Sequence, residues 1–171
     1  MTSGQFLLDV ESRTTEAIDK LRHPSSEPAA SESTAAPTPA PQAMSDEHAL
    51  AIVHCTMKDA DWLQTGELIS NPYLGSTMPT CGAVTKKVAM PVEGTPLAAV
   101  TTSYLAVATG FDADKLDPDA IGALKQTAEK LTGDQYADLR RSIGVLDAAR
   151  DLAAARSAFE AVSAEMIRIL K

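Results

Sequence analysis

Residues 54–82 read H-C-T-M-K-D-A-D-W-L-Q-T-G-E-L-I-S-N-P-Y-L-G-S-T-M-P-T-C-G, and the reading given to this stretch decides the architecture of the chain. It holds both cysteines, Cys55 and Cys81, the single tryptophan, Trp62, and two of the six methionines, Met57 and Met78. Turn signals at Asn71-Pro72 and Leu74-Gly75 fold it back on itself. On either side, residues 49–54 (A-L-A-I-V-H) and 83–90 (A-V-T-K-K-V-A-M) have the content of short strands. The expectation is a long loop closed at its base by two strands, which brings Cys55 near Cys81. The sulfurs form two mirrored pairs, Cys-x-Met at 55/57 and Met-x-x-Cys at 78/81. Two thiolates and two thioethers are soft donors, suited to Cu(I) or Ag(I) rather than to Mg²⁺ or Ca²⁺, which prefer oxygen.

Outward from this loop toward the C-terminus the pattern turns helical. Leu97, Val100, Tyr104, Val107 and Phe111 follow 3/4 spacing. Asp117-Pro118 is a cap followed by proline in the first helical position, opening a second helix with Ile121, Leu124, Ala128 and Leu131 inward. Thr132-Gly133 separates a third with Tyr136, Leu139, Ile143 and Leu146. A fourth, over residues 151–170, buries Leu152, Ala155, Phe159, Val162, Met166 and Ile169. Short connections favour antiparallel neighbours. The fold expected is therefore mainly α: an antiparallel four-helix bundle carrying a small Cys/Met loop module flanked by two short strands.

Toward the N-terminus, residues 24–45 are rich in Pro, Ala, Ser and Thr, with Pro37, Pro39 and Pro41 in alternation. No core can form from them, and they read as a disordered, semi-stiff linker. Before it, Phe6-Leu7-Leu8 suggests a brief extended piece, and Asp9, Val10, Ala17, Ile18 and Leu21 a short capped helix. The domain division is thus 1–23 for this N-terminal piece, 24–45 for the linker, 46–92 for the loop module and 93–171 for the bundle.

The formal net charge of −8 argues against a nucleic-acid or anionic-membrane surface. No stretch approaches the roughly 18 apolar residues of a membrane span. The N-terminus lacks the basic start and long apolar run of a signal peptide, so the chain as given would stay in the cytoplasm. Phosphate-loop, G-x-S-x-G and G-x-G-x-x-G motifs are absent, as is Cys-x-x-Cys, so no enzyme is expected. The acid pairs Asp59/Asp61 and Asp112/Asp114 read as solvated faces.

Cysteine and methionine are also ordinary core residues, and a Cys55–Cys81 disulfide would staple the same loop without explaining the methionines. That is the alternative function: a structural or interaction domain without metal. His54 is a possible nitrogen ligand, and with two thiolates it would suit zinc, leaving the methionines as bystanders. Trp62 reads as the packing anchor of the loop.

Three parts of the chain carry a resemblance. Ser3-Gly4-Gln5-Phe6-Leu7-Leu8-Asp9-Val10-Glu11-Ser12 resembles a segment near the C-terminal end of periplasmic adaptor subunits (membrane-fusion proteins, CusB-like) of heavy-metal RND efflux systems. There it forms the last membrane-proximal strand and leads into a terminal helix. The loop, as Cys55-Thr56-Met57, Trp62-Leu63, Asn71-Pro72-Tyr73, Gly75, Met78 and Cys81-Gly82, resembles a motif of copper-associated domains appended to such adaptors. The helical part, notably Ala155–Phe159 and Ser163–Met166, is similar to the accompanying bundle. Thr56 stands where that motif has proline.

The resemblance implies a periplasmic soft-metal module with Cys55, Met57, Met78 and Cys81 as ligands and Trp62, Asn71, Pro72, Tyr73, Gly75 and Gly82 as loop scaffold. Its implied partners are efflux pump or adaptor components, or a periplasmic metallochaperone. The chain begins where an adaptor is nearly complete, so the likeness further implies a C-terminal fragment or a detached product.

Overall fold

In the computed structural model, which describes residues 49–171, the chain forms three strands followed by four helices. Strand β1 (Ala49–Cys55) turns into β2 (Ala60–Thr65), and β3 (Ala83–Ala89) returns to the other side of β1. The sheet is antiparallel with order β2-β1-β3. Then come α1 (Pro96–Asp112), α2 (Pro118–Glu129), α3 (Ala137–Asp147) and α4 (Leu152–Leu170). The N-terminal strand and helix and the linker expected over 1–45 lie outside the described residues.

This corrects the expectation of a four-helix bundle with a loop module on two short strands: the fold is mixed, four helices with a three-stranded antiparallel sheet. The missed strand, β2, lies inside the stretch read as loop. Its residues Trp62, Leu63 and Gln64 are all buried, so no alternation of apolar and polar residues marks it. The helices have no core separate from that of the sheet. Consecutive helices pack in series, and α1 and α4 both lie against β2. Apolar residues of the strands and helices form one continuous buried cluster.

An edge strand leaves backbone groups without ladder partners, and leaving them buried is costly. On the free edge of β2, Leu63 N–H donates to Tyr104 Oη at 3.1 Å, and Asp61 C=O accepts from Tyr73 Oη at 2.6 Å. Tyr104 comes from α1 and hydrogen-bonds Ser163 of α4 at 2.8 Å. One hydroxyl thus joins a strand and two helices. On the β3 side the register slips between Ile52 and Val53, and Thr85, the extra residue, donates its hydroxyl to Ile52 C=O at 3.1 Å.

The helix starts follow local chemistry. Thr95 accepts from Ala98 N–H and precedes Pro96 at the head of α1. Asp117 accepts from Asp119 and Ala120 N–H, with Pro118 next, at the head of α2. Asp151 caps α4 through Ala154 N–H. The helical residues expected to face inward do so, except that Leu97, Tyr136, Leu152 and Ile169 are only partly buried. Among the described residues no helix is long and apolar enough to cross a membrane.

Candidate metal centre

Cys55 ends β1, and the hairpin that follows is closed by Lys58 N–H donating to Cys55 C=O at 3.2 Å, with Asp59 in the left-handed region at φ 52°. Strand pleating places Cys55 on the same face as Val53 and, across the register, Ala60 and Trp62. Residues 66–82 fold over this face. Gln64 draws in the start of the segment, accepting from Ser70 N–H at 3.2 Å and donating to Leu68 C=O at 2.7 Å. Gly82 anchors its end: with φ +150°, an added Cβ there would meet the Trp62 ring at 2.7 Å and Val53 at 2.9 Å.

The result is a close pair. Cys55 Sγ and Cys81 Sγ lie 3.1 Å apart, both free thiols, Cys55 buried and Cys81 half-buried. Burial works to raise the Cys55 thiol pKa. Hydrogen bonds from Cys81, Lys58 N–H, the Asn71 amide and Met57 N–H outweigh it and hold the group below the ordinary thiol value. Cys81 moves the other way, raised chiefly because it donates to Cys55, with burial and the Cys55 charge adding to the effect. The two sulfurs share a hydrogen bond that either can donate, and its surroundings favour the thiolate at Cys55 over that at Cys81.

Asn71 is the keystone of the covering segment. Fully buried, it donates from Nδ2 to Cys81 C=O at 2.6 Å and accepts at Oδ1 from Tyr73 and Leu74 N–H. Its own N–H donates to Pro79 C=O at 2.9 Å, tying the two arms of the segment together. Tyr73 packs edge-on to Trp62 with centroids 5.8 Å apart and also meets Phe159 of α4. Pro72 C=O accepts from Arg156 Nε at 2.9 Å. Gly75, at φ +52°, sits so close to the Arg156–Asp114 ion pair that a Cβ would displace it. Of the six scaffold positions the resemblance implies, Trp62 lies in β2 and the other five in the 66–82 segment that carries Cys81.

The remaining candidate ligands are placed differently. Met57 is 68% and Met78 40% exposed, and both flank the pair along the backbone. Met57 N–H faces the sulfurs, and Met78 C=O accepts from Cys81 N–H at 3.2 Å. Their side chains lie on the solvent side. His54 is turned away: on the opposite pleat face from Cys55, its Nδ1 pairs with Asp61 Oδ1 at 2.9 Å. Among the described residues no group of three His, Cys, Asp or Glu side chains converges.

Two contributors were not legible as such. Asp114 accepts from Ser76 N–H and pairs with Arg156 at 2.6 Å, so its carboxyl is pulled down to about 2 by hydrogen bonds from Ser76 and Arg156. Arg156 also donates to Phe111 C=O. In sequence, Asp114 reads as half of a solvated acid pair. Arg156 lies three residues before Phe159, on the buried side of α4, and a charge on an apolar stripe was the available signal.

No family model matches the chain, nor does any curated protein or any solved structure.

Proposed function

We propose that residues 49–171 form a soft-metal binding domain for Cu(I) or Ag(I), serving a heavy-metal efflux adaptor in the periplasm. The observation that carries this reading is the 3.1 Å approach of two free thiols from positions 26 residues apart in the chain. Its donor chemistry is soft throughout. A buried thiol at Cys55, a second thiol beside it at Cys81 and the exposed thioethers of Met57 and Met78, each within three residues of a cysteine in the chain, suit a monovalent soft ion. Zinc is the poorer cargo, because the one histidine among the described residues, His54, faces away and is engaged by Asp61.

In this reading Cys55 and Cys81 are the anchoring ligands, and Met57 and Met78 are supplementary ligands on the solvent side. The efflux assignment rests on the resemblance of residues 3–12 and of the loop. A tether over 24–45 would hold the domain at high local concentration beside its partners, the pump and adaptor or a metallochaperone. The domain binds and hands over; no catalytic step is assigned.

The test is a Cu(I) titration of the reduced chain against a competing chelator. One ion per chain is expected, with affinity falling as pH falls because both thiols must deprotonate. The Cys55→Ser, Cys81→Ser double variant should lose this binding. Unchanged affinity in that variant contradicts the reading.

A further inference from the structure

The two cysteines differ in access. Cys55 has no exposed surface, whereas Cys81 is only half-buried. A reagent arriving from solvent therefore meets Cys81 first, with Cys55 Sγ behind it at 3.1 Å. Neither thiol sits on a free-swinging loop. Cys55 is held by the β1–β2 hairpin, and the Cys81 backbone is held by the Asn71 amide and by its own N–H bond to Met78 C=O. To bond, the sulfurs need only close by about 1 Å, since a disulfide is about 2.05 Å long.

We propose that Cys81 is a thiol-modification site for low-molecular-weight disulfides, with Cys55 as the resolving thiol, so that oxidation closes the pair and withdraws it from metal binding. The first half stands on the cysteine geometry alone; the second rests on the soft-metal reading. The chemistry balances as two exchanges. Cys81 attacks one sulfur of the small disulfide as its proton passes to Cys55 Sγ across the 3.1 Å contact, forming a mixed disulfide and releasing a small thiolate that takes up that proton and leaves as the thiol. Cys55 then attacks Cys81 Sγ and expels the second small thiol. Two protein thiols are oxidised to one disulfide, and one small disulfide is reduced to two thiols. A metal ion held between the sulfurs occupies the electron pairs both steps require, so loaded protein resists oxidation and metal-free protein does not.

The experiment treats the reduced, metal-free full chain with oxidised glutathione and follows free thiols and intact mass. The wild type should lose both of its cysteine thiols together, its mass falling by about 2 Da with no lasting adduct. Cys55→Ser should instead accumulate one glutathione adduct, on Cys81. Cys81→Ser should keep the Cys55 thiol unmodified until the chain is denatured. A stable adduct on the wild type, or modification of Cys55 in Cys81→Ser as fast as of Cys81 in Cys55→Ser, overturns the modification site. One equivalent of Ag(I) added beforehand should leave both wild-type thiols intact. If Ag(I) binds and oxidation is undiminished, the gating is overturned. If Ag(I) does not bind at all while the internal disulfide still forms, the metal reading fails and the modification site stands.

Discussion

Asn71 has no exposed surface, and its amide serves both halves of the site: Nδ2 holds the Cys81 carbonyl while Oδ1 closes the turn at Tyr73 and Leu74. Asn71→Ala would leave those buried partners without an exchange for water, at a cost of about 1–3 kcal/mol. Urea denaturation should show this as a lower midpoint at unchanged slope, and Cu(I) affinity should fall with it. Retained stability and affinity would remove Asn71 from the account. Gly82 makes a complementary case. Its φ of +150° and the Trp62 ring at 2.7 Å from a built Cβ leave no room for a side chain. Gly82→Ala should cost about 1–3 kcal/mol through overpacking and backbone strain, read as a lower thermal midpoint, whereas Gly66→Ala, at φ +76° with no such neighbour, should carry the backbone strain alone and cost less. Asn71-Pro72 reads as a turn in sequence, whereas Gly82 enters only through the resemblance; what Asn71 bonds to depends on partners up to ten residues away.

At the scale of elements, the legible parts were those whose signal is local. The helices announce themselves through 3/4 spacing and, for α2, through the cap Asp117, and β1 and β3 through β-branched runs. β2 did not, because burial of Trp62, Leu63 and Gln64 on both faces erases the alternation that identifies a half-exposed strand. The bundle expectation failed for the same reason: without β2, nothing in the sequence says that α1 and α4 have a strand to cover. The clamp on the 71–76 turn was hidden too, since Asp114 and Arg156 meet only in the folded chain. Asp114 gives this element a pH signature. Its folded pKa of about 2 lies below its ordinary value near 4. The clamp therefore stabilises the fold fully above about pH 4, and that contribution is lost as pH falls through about 2. Asp114→Asn should lower the thermal midpoint at pH 7, with the gap to wild type shrinking between about pH 4 and pH 2. A gap that stays constant over that range would show that the charge plays no part.

Across the whole molecule, Phe159 is the meeting point. It stacks on Tyr104 at 4.8 Å, meets Phe111 edge-on at 5.2 Å and touches Tyr73 of the cysteine-bearing segment at 6.2 Å. Sheet, loop and helices consequently share one core, and unfolding should be a single event. Helical circular dichroism and the fluorescence of Trp62, the only tryptophan, should report the same midpoint; separate transitions would contradict a shared core. Phe159→Ala should lower that common midpoint at a cost of about 3–5 kcal/mol. The function proposed depends on this rigidity, because the helices hold the turn that delivers Cys81 to Cys55. The most direct test of that claim is X-ray absorption at the copper edge on the reduced chain loaded with one equivalent of Cu(I). The account predicts a coordination shell made of sulfur alone, lost in the Cys55→Ser, Cys81→Ser variant. A shell dominated by nitrogen or oxygen, or one unchanged by removing both cysteines, would contradict it.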